Sequence, residues 1–147
     1  MTTRVLSSSA FNLDRFLKAQ APVYVQVVRE LAAARKTSHW MWFIFPQLKG
    51  LGRTSTAQFY GIASKAEALA HWQHPVLGAR LKECAGLALA APSGLAAHDV
   101  FGTPDDLKLR SCMTLFAAVA TEETVFTDVL ERFFEGEPDP LTLRLLA

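Results

Sequence analysis

The apolar positions of this chain recur at three- and four-residue intervals almost from end to end. Leu13, Phe16, Leu17 and Gln20 fall at helical spacing, which predicts a short helix over Asn12 to Gln20. From Pro22 to Arg35, Val23, Val27, Glu30, Leu31 and Ala34 share one face, with Tyr24 and Val28 beside it. Proline is tolerated in a first helical turn, so Ala21-Pro22 reads as a restart, and Arg35-Lys36 suits the negative end of the helix dipole. Ser55 to Ile62 fits two turns. Ser64-Lys65-Ala66-Glu67 is a capping box that opens a helix through Gln73. His74-Pro75 breaks it, and Pro75 begins another helix to about Ala90. After a turn at Pro92-Ser93-Gly94, Leu95 to Phe101 reads as one short helix. Thr103-Pro104-Asp105-Asp106 is a strong helix start, with Thr as cap, Pro in the first position and acids in the first turn, and that helix runs to about Ala120. Thr121-Glu122-Glu123 opens the next, ending near Gly136, and Asp139-Pro140 opens a last short one.

No segment combines strand alternation with hairpin turn chemistry. The pattern therefore predicts an all-α fold, a single compact domain of seven to nine short helices over residues 11–147. Residues 1–10, small and polar, are expected to form a flexible tail. A chain of 147 residues suits one core. One segment resists assignment. In Thr37 to Ser55, the run His39-Trp40-Met41-Trp42-Phe43-Ile44-Phe45 fits neither period 2 nor period 3.6, until Pro46 ends it and Lys49-Gly50-Leu51-Gly52-Arg53 reads as a loop.

Composition narrows the classes of function. Half of the residues are apolar, a fifth are charged, and the net charge is +1. Such a balance provides no long-range field, so neither nucleic acid nor a membrane surface is expected as a partner. The apolar run Trp40 to Phe45 is far too short to cross a bilayer. Cys84 and Cys112 show no CxxC spacing and no secretory leader precedes them, which points to free thiols and a cytoplasmic location. No motif implies a cofactor. His71 and His74 stand i,i+3 but lack a third metal ligand in register, and Cys112 lies in an apolar helix where it packs rather than reacts.

Two segments hold the residues that could carry chemistry. The first runs from Thr37 to Gln47 and on to Arg53; the second from Phe101 to Ser111. Trp40, Phe43 and Phe45 fit a core, and His39 fits a hydrogen-bonded structural histidine. Asp106 and Arg110, i,i+4 apart, fit a surface pair. Yet a small-molecule site needs an apolar wall and a few convergent polar groups, and these segments supply both. Trp42 offers a stacking face, Gln47 an amide, and Arg53 and Lys108 cations for an anionic ligand. His39 is the candidate proton carrier, with Asp105 to orient it or to hold a ligand hydroxyl. These six residues are expected to surround one pocket for a small anionic, nucleotide-like ligand. The alternative is a non-enzymatic interaction module that uses the aromatic segment 39–47. Whether the chain is an enzyme, and its oligomeric state, stay open at this level.

Lys36 to Gln47, Gly50-Leu51-Gly52, Tyr60-Gly61-Ile62, His74 to Leu81, Phe101-Gly102, Asp105 to Ser111 and Met113 to Phe116 together resemble the domain-of-unknown-function 1810 (DUF1810) family. The resemblance spans about Phe11 to Leu146, and its first motif is long and unusual. It implies a small bacterial protein of all-α fold with no established activity. Some members carry the label calpastatin, but nothing in this sequence is similar to the disordered, repeat-built protease inhibitor of that name. Cys112 stands where the family's Arg-Ser-Ser-Met-Thr pattern has a second serine, which argues against an essential hydroxyl there.

Overall fold

The computed structural model describes residues 11–147, so the expected tail over residues 1–10 lies outside the described residues. Ten α-helices and one 3-10 turn make up the described chain. They are α1 (Asp14–Gln20), α2 (Tyr24–Ala32), α3 (Met41–Ile44), the 3-10 turn (Lys49–Leu51), α4 (Ser55–Tyr60), α5 (Lys65–Gln73), α6 (Leu77–Leu89), α7 (Ala97–Phe101), α8 (Asp105–Val119), α9 (Val125–Phe134) and α10 (Pro140–Leu146). The all-α expectation holds. The helix beyond the expected seven to nine is α3, a single turn inside the aromatic run whose periodicity is unreadable. Among the described residues no strand forms, only one parallel bridge between Leu48 and Ile62. None of their helices is long and apolar enough to cross a membrane.

Helices α6 and α8 are the centre of the packing. Helix α6 meets α2, α3, α5 and α9, while α8 meets α5, α7, α9 and α10. Contact with four helices explains why the middle of α8 has no clean polar face: Ser111 through Phe116 are all buried. Leu77, Leu81 and Ala85 from α6 join Leu109, Met113 and Phe116 from α8 in one core. Each fully buried Leu or Phe there stabilises the fold by about 1.5–3 kcal/mol relative to exposure. Cys84 and Cys112 are both free and buried. Burial pushes the Cys84 thiol up to about 12 and raises that of Cys112 well above its ordinary value, so neither is a ready nucleophile.

Several start signals act differently from expectation. Ser64 caps α5 by accepting from Glu67 N–H, but Glu67 reaches back to Ala63 N–H rather than to Ser64, and its second oxygen pairs with Arg15 at 2.7 Å. Thr103 does not cap α8. Its hydroxyl lies 2.8 Å from Nδ1 of His98, and Pro104 precedes the helix with no side-chain cap. Arg110 does not pair with Asp106; it donates to the carbonyl of Glu137 instead, across to the loop before α10. That loop is fixed from α8 by two more residues. Thr114 Oγ1 accepts from Asp139 N–H, and Ser111 Oγ donates to Asp139 Oδ2, which also caps α10 by accepting from Thr142 N–H. The Arg110–Thr114 stretch is thus a fastening for the C-terminal helix. Arg132 does the same for the end of α6, donating to the carbonyls of Leu89, Ala91, Pro92 and Leu95.

Candidate functional site

The aromatic segment is set by a buried carboxylate on α2. Glu30, on the face that buries Val27 and Leu31, is 4 % exposed. Its Oε1 accepts from Thr37 N–H, Ser38 N–H and Trp40 Nε1, and its Oε2 from Ser38 Oγ and Gln26 Nε2. Burial alone would raise its pKa, but these hydrogen bonds outweigh it and hold the carboxyl well below the usual carboxylate range. The backbone leaves α2 through Ala34 in the left-handed region, with φ of 56°. Lys36 then turns inward rather than extending the helix. It donates to the carbonyl of Ser38, lies 4.9 Å from the Trp40 ring centroid, and pairs with Asp105 at 2.8 Å.

These anchors decide what α3 presents. Trp40, Met41, Ile44 and Phe45 are buried, while Trp42, Phe43 and Gln47 are half-buried. Gly61 lets the chain after α4 pass close to Lys49, where an added Cβ would come within 2.5 Å of the Lys49 Cα. That approach lets Ile62 N–H donate to Gln47 C=O and Lys49 N–H to Ile62 C=O.

From α8, Lys108 reaches the same place. Its Nζ lies 5.5 Å from the Trp42 ring centroid and 3.7 Å from Asp105 Oδ1. Trp42, Gln47 and Lys108 line a narrow recess with Met41, Phe45 and Tyr60, of about 10 Å³, room for roughly one water. Gln47 and Lys108 also line an open groove of about 350 Å³, walled by Leu51, Leu107 and Leu141 and reaching Asp139. The recess and the groove thus share two side chains.

Of the six expected site residues, the fold brings together Trp42, Gln47, Lys108 and, through Lys108, Asp105. His39 and Arg53 are exposed and line neither the recess nor the groove. Asp105 takes two lysines rather than an imidazole. Glu30, Lys36 and Asp139 were not among the expected residues. Glu30 carried a signal, a carboxylate on the apolar face of α2; Lys36 and Asp139 carried none distinguishable from an exposed lysine and a helix cap.

His71 is fully buried against Phe16 and Phe116, and no group of three or more potential metal ligands occurs among the described residues.

A family model described as "Protein of unknown function (DUF1810)" matches residues 10–146. A crystal structure of the conserved hypothetical protein Rv1873 from Mycobacterium tuberculosis is 50 % identical to the chain, covering 93 % of this chain and 97 % of that one, with a TM-score of 0.91. No curated protein matches.

Proposed function

Within the DUF1810 family, to which this chain belongs, we propose that the site around Trp42, Gln47 and Lys108 binds a small anionic, nucleotide-like ligand. The observation that carries the reading is the division of labour between two lysines. Asp105 lies 2.8 Å from Lys36 and 3.7 Å from Lys108. The closer, more buried Lys36 neutralises the carboxylate, and the three groups together keep one net positive charge. Lys108 is the partly exposed member, and its charge has the weaker protein partner. An anion in the groove completes it at low desolvation cost. Trp42, whose ring the ammonium already faces, offers a planar group a stacking surface, and Gln47 offers both a donor and an acceptor.

His39 and Arg53 enter this reading only at the level of the sequence, since neither lines the recess or the groove. The other reading, a protein-binding module built on residues 39–47, is the weaker one. Of the large apolar residues in that segment, Trp40, Met41, Ile44 and Phe45 are buried in the core, and only Trp42 and Phe43, half-buried, offer a partner any surface.

The test is a thermal-shift screen with AMP, ADP-ribose and NAD, repeated on Lys108→Ala. A ligand at about 100 times its Kd adds about 2.7 kcal/mol to stability, a readily measured rise in Tm. The expected result is a rise with at least one of these compounds that Lys108→Ala abolishes. A rise that Lys108→Ala leaves intact, or no rise with any of the three, sinks the reading.

A further inference from the structure

The groove beside Lys108 is not simply basic. Asp139 lines it together with Lys108, so this cation shares its groove with a carboxylate. Asp139 Oδ2 is used up inside the protein, accepting from Ser111 Oγ, Thr142 N–H and Thr142 Oγ1. Oδ1 accepts no hydrogen bond from the described residues. A bare anion drawn to Lys108 would also meet this carboxylate, and repulsion would cancel much of the attraction. A ligand that brings an anion and hydrogen-bond donors together satisfies both groups. The walls between them, Leu51, Leu107 and Leu141, accept a carbon skeleton. Lys108 and Ser111 are i,i+3 on α8 and so stand roughly 5–6 Å apart at their Cβ atoms, and Ser111 touches Asp139. Lys108 and Asp139 thus line one groove from neighbouring turns of α8 and the start of α10, within the span of one small ligand.

Building on the anionic-ligand reading, we infer that the groove recognises a polyol phosphate, such as the sugar-phosphate part of a nucleotide, with the phosphate at Lys108 and a ligand hydroxyl donating to Asp139 Oδ1. Hydroxyl donors to a carboxylate are charge-assisted and give discrimination that an uncharged acceptor does not. Asp139 then serves two ends at once: one oxygen caps α10 and the other reads the ligand.

The test compares two probes of equal length on the whole chain by calorimetry or NMR titration. Glycerol 3-phosphate carries two hydroxyls that propyl phosphate lacks. A hydrogen bond to a charged group implies about tenfold tighter binding of glycerol 3-phosphate. Lys108→Met is expected to lose both probes. Asp139→Asn keeps an oxygen for the α10 cap, replaces the second carboxylate oxygen with an amide donor, and is expected to erase the difference between the probes. The wild-type comparison needs no variant, so a failure of Asp139→Asn to fold leaves the test standing. Equal affinity for the two probes, both dependent on Lys108, overturns the polyol inference and leaves the anion site intact. If AMP binds and neither probe does up to about 10 mM, the inference also falls, since such a limit means under about 3 kcal/mol of binding free energy. If AMP, ADP-ribose and NAD all fail as well, both readings fall.

Discussion

Nζ of Lys36 lies 2.8 Å from Oδ2 of Asp105, and with only 7 % of the lysine side chain exposed the pair ties the entry of the aromatic segment to the first turn of α8. Removing one partner of such a pair leaves a charge in a poorly hydrated place, at about 3–5 kcal/mol where no other partner remains. Asp105→Asn leaves Lys36 with the Ser38 carbonyl, the Trp40 ring and a neutral amide, and is expected to cost up to that figure. Lys36→Met leaves Asp105 near Lys108 and is expected to cost less. The double variant should lose less than the two single losses added, because neither charge is then left without the other. Urea denaturation of the four proteins measures this, and strict additivity would show that the pair is energetically idle.

Glu30 makes a prediction with a pH signature. Glu30→Gln keeps the shape but loses the charge and turns one acceptor into a donor facing Ser38 Oγ and Gln26. An expected loss of about 1–3 kcal/mol at pH 7 follows from weakening hydrogen bonds to a buried charged group. The folded carboxyl sits below its ordinary value of 4.5, so its contribution is present above that pH and is lost as pH falls below it. The gap in urea midpoint between wild type and Glu30→Gln should therefore be constant above about pH 4.5 and narrow as pH falls from there to 3. A gap that stays constant with pH would mean that the charge is irrelevant.

Helix positions were legible because apolar spacing and caps such as Ser64 and Asp139 act locally. The aromatic run was not legible, because its order is set from a distance: Glu30 lies on another helix and accepts from backbone and side chains that no pattern marks as partners. The expected site was half legible for a related reason. Trp42, Gln47 and Lys108 come together where α3 and the segment after it meet α8, and their residue types already suggested a pocket. His39 and Arg53 were chosen for chemistry alone, and the fold leaves both exposed. Asp105 could not be read as a lysine partner, because Lys36 looked like the basic end of a helix that in fact stops at Ala32.

Two arginines provide a contrast that residue type alone does not predict. Arg15 donates to the carbonyls of Phe11, Asn12, Phe59 and Gly61 and pairs with Glu67 at 2.7 Å, with 9 % of its side chain exposed. Arg15→Met leaves the buried Glu67 carboxylate without its cation, with Ala63 N–H as a remaining donor, and removes the guanidinium from the Phe11, Phe59 and Gly61 carbonyls, so a loss of about 3 kcal/mol is expected. Arg53 is exposed, and Arg53→Ala should change stability by less than about 0.5 kcal/mol. Melting curves of the two variants check the pair of statements. Comparable losses would mean that Arg53 has a structural partner.

The last prediction concerns His71, whose Nδ1 and Nε2 are both buried without a hydrogen-bond partner. Its ring stands edge-on to Phe16 at 4.8 Å and tilted against Phe116 at 5.4 Å. Burial, with smaller contributions from His74 and Arg15, lowers its pKa to about 3 from an ordinary 6.5. Between those values the unfolded chain holds a proton that the folded protein refuses. Stability is therefore full above about pH 6.5 and falls as pH drops toward 3, by about 1.4 kcal/mol per pH unit within the window. His71→Leu removes the titrating group and sacrifices no hydrogen bond. It also removes two unsatisfied polar atoms, each of which costs about 1–3 kcal/mol when buried. The variant is expected to be at least as stable as wild type at pH 7. Its urea midpoint should fall less steeply than that of wild type from pH 6.5 to about 4.5, the remaining slope coming from His74, whose pKa burial also lowers; below that the loss from Glu30 sets in. A His71→Leu protein less stable at pH 7 by more than about 1 kcal/mol would show that the imidazole has a favourable partner after all. One that kept the wild-type slope between pH 6.5 and 4.5 would assign that titration to another group.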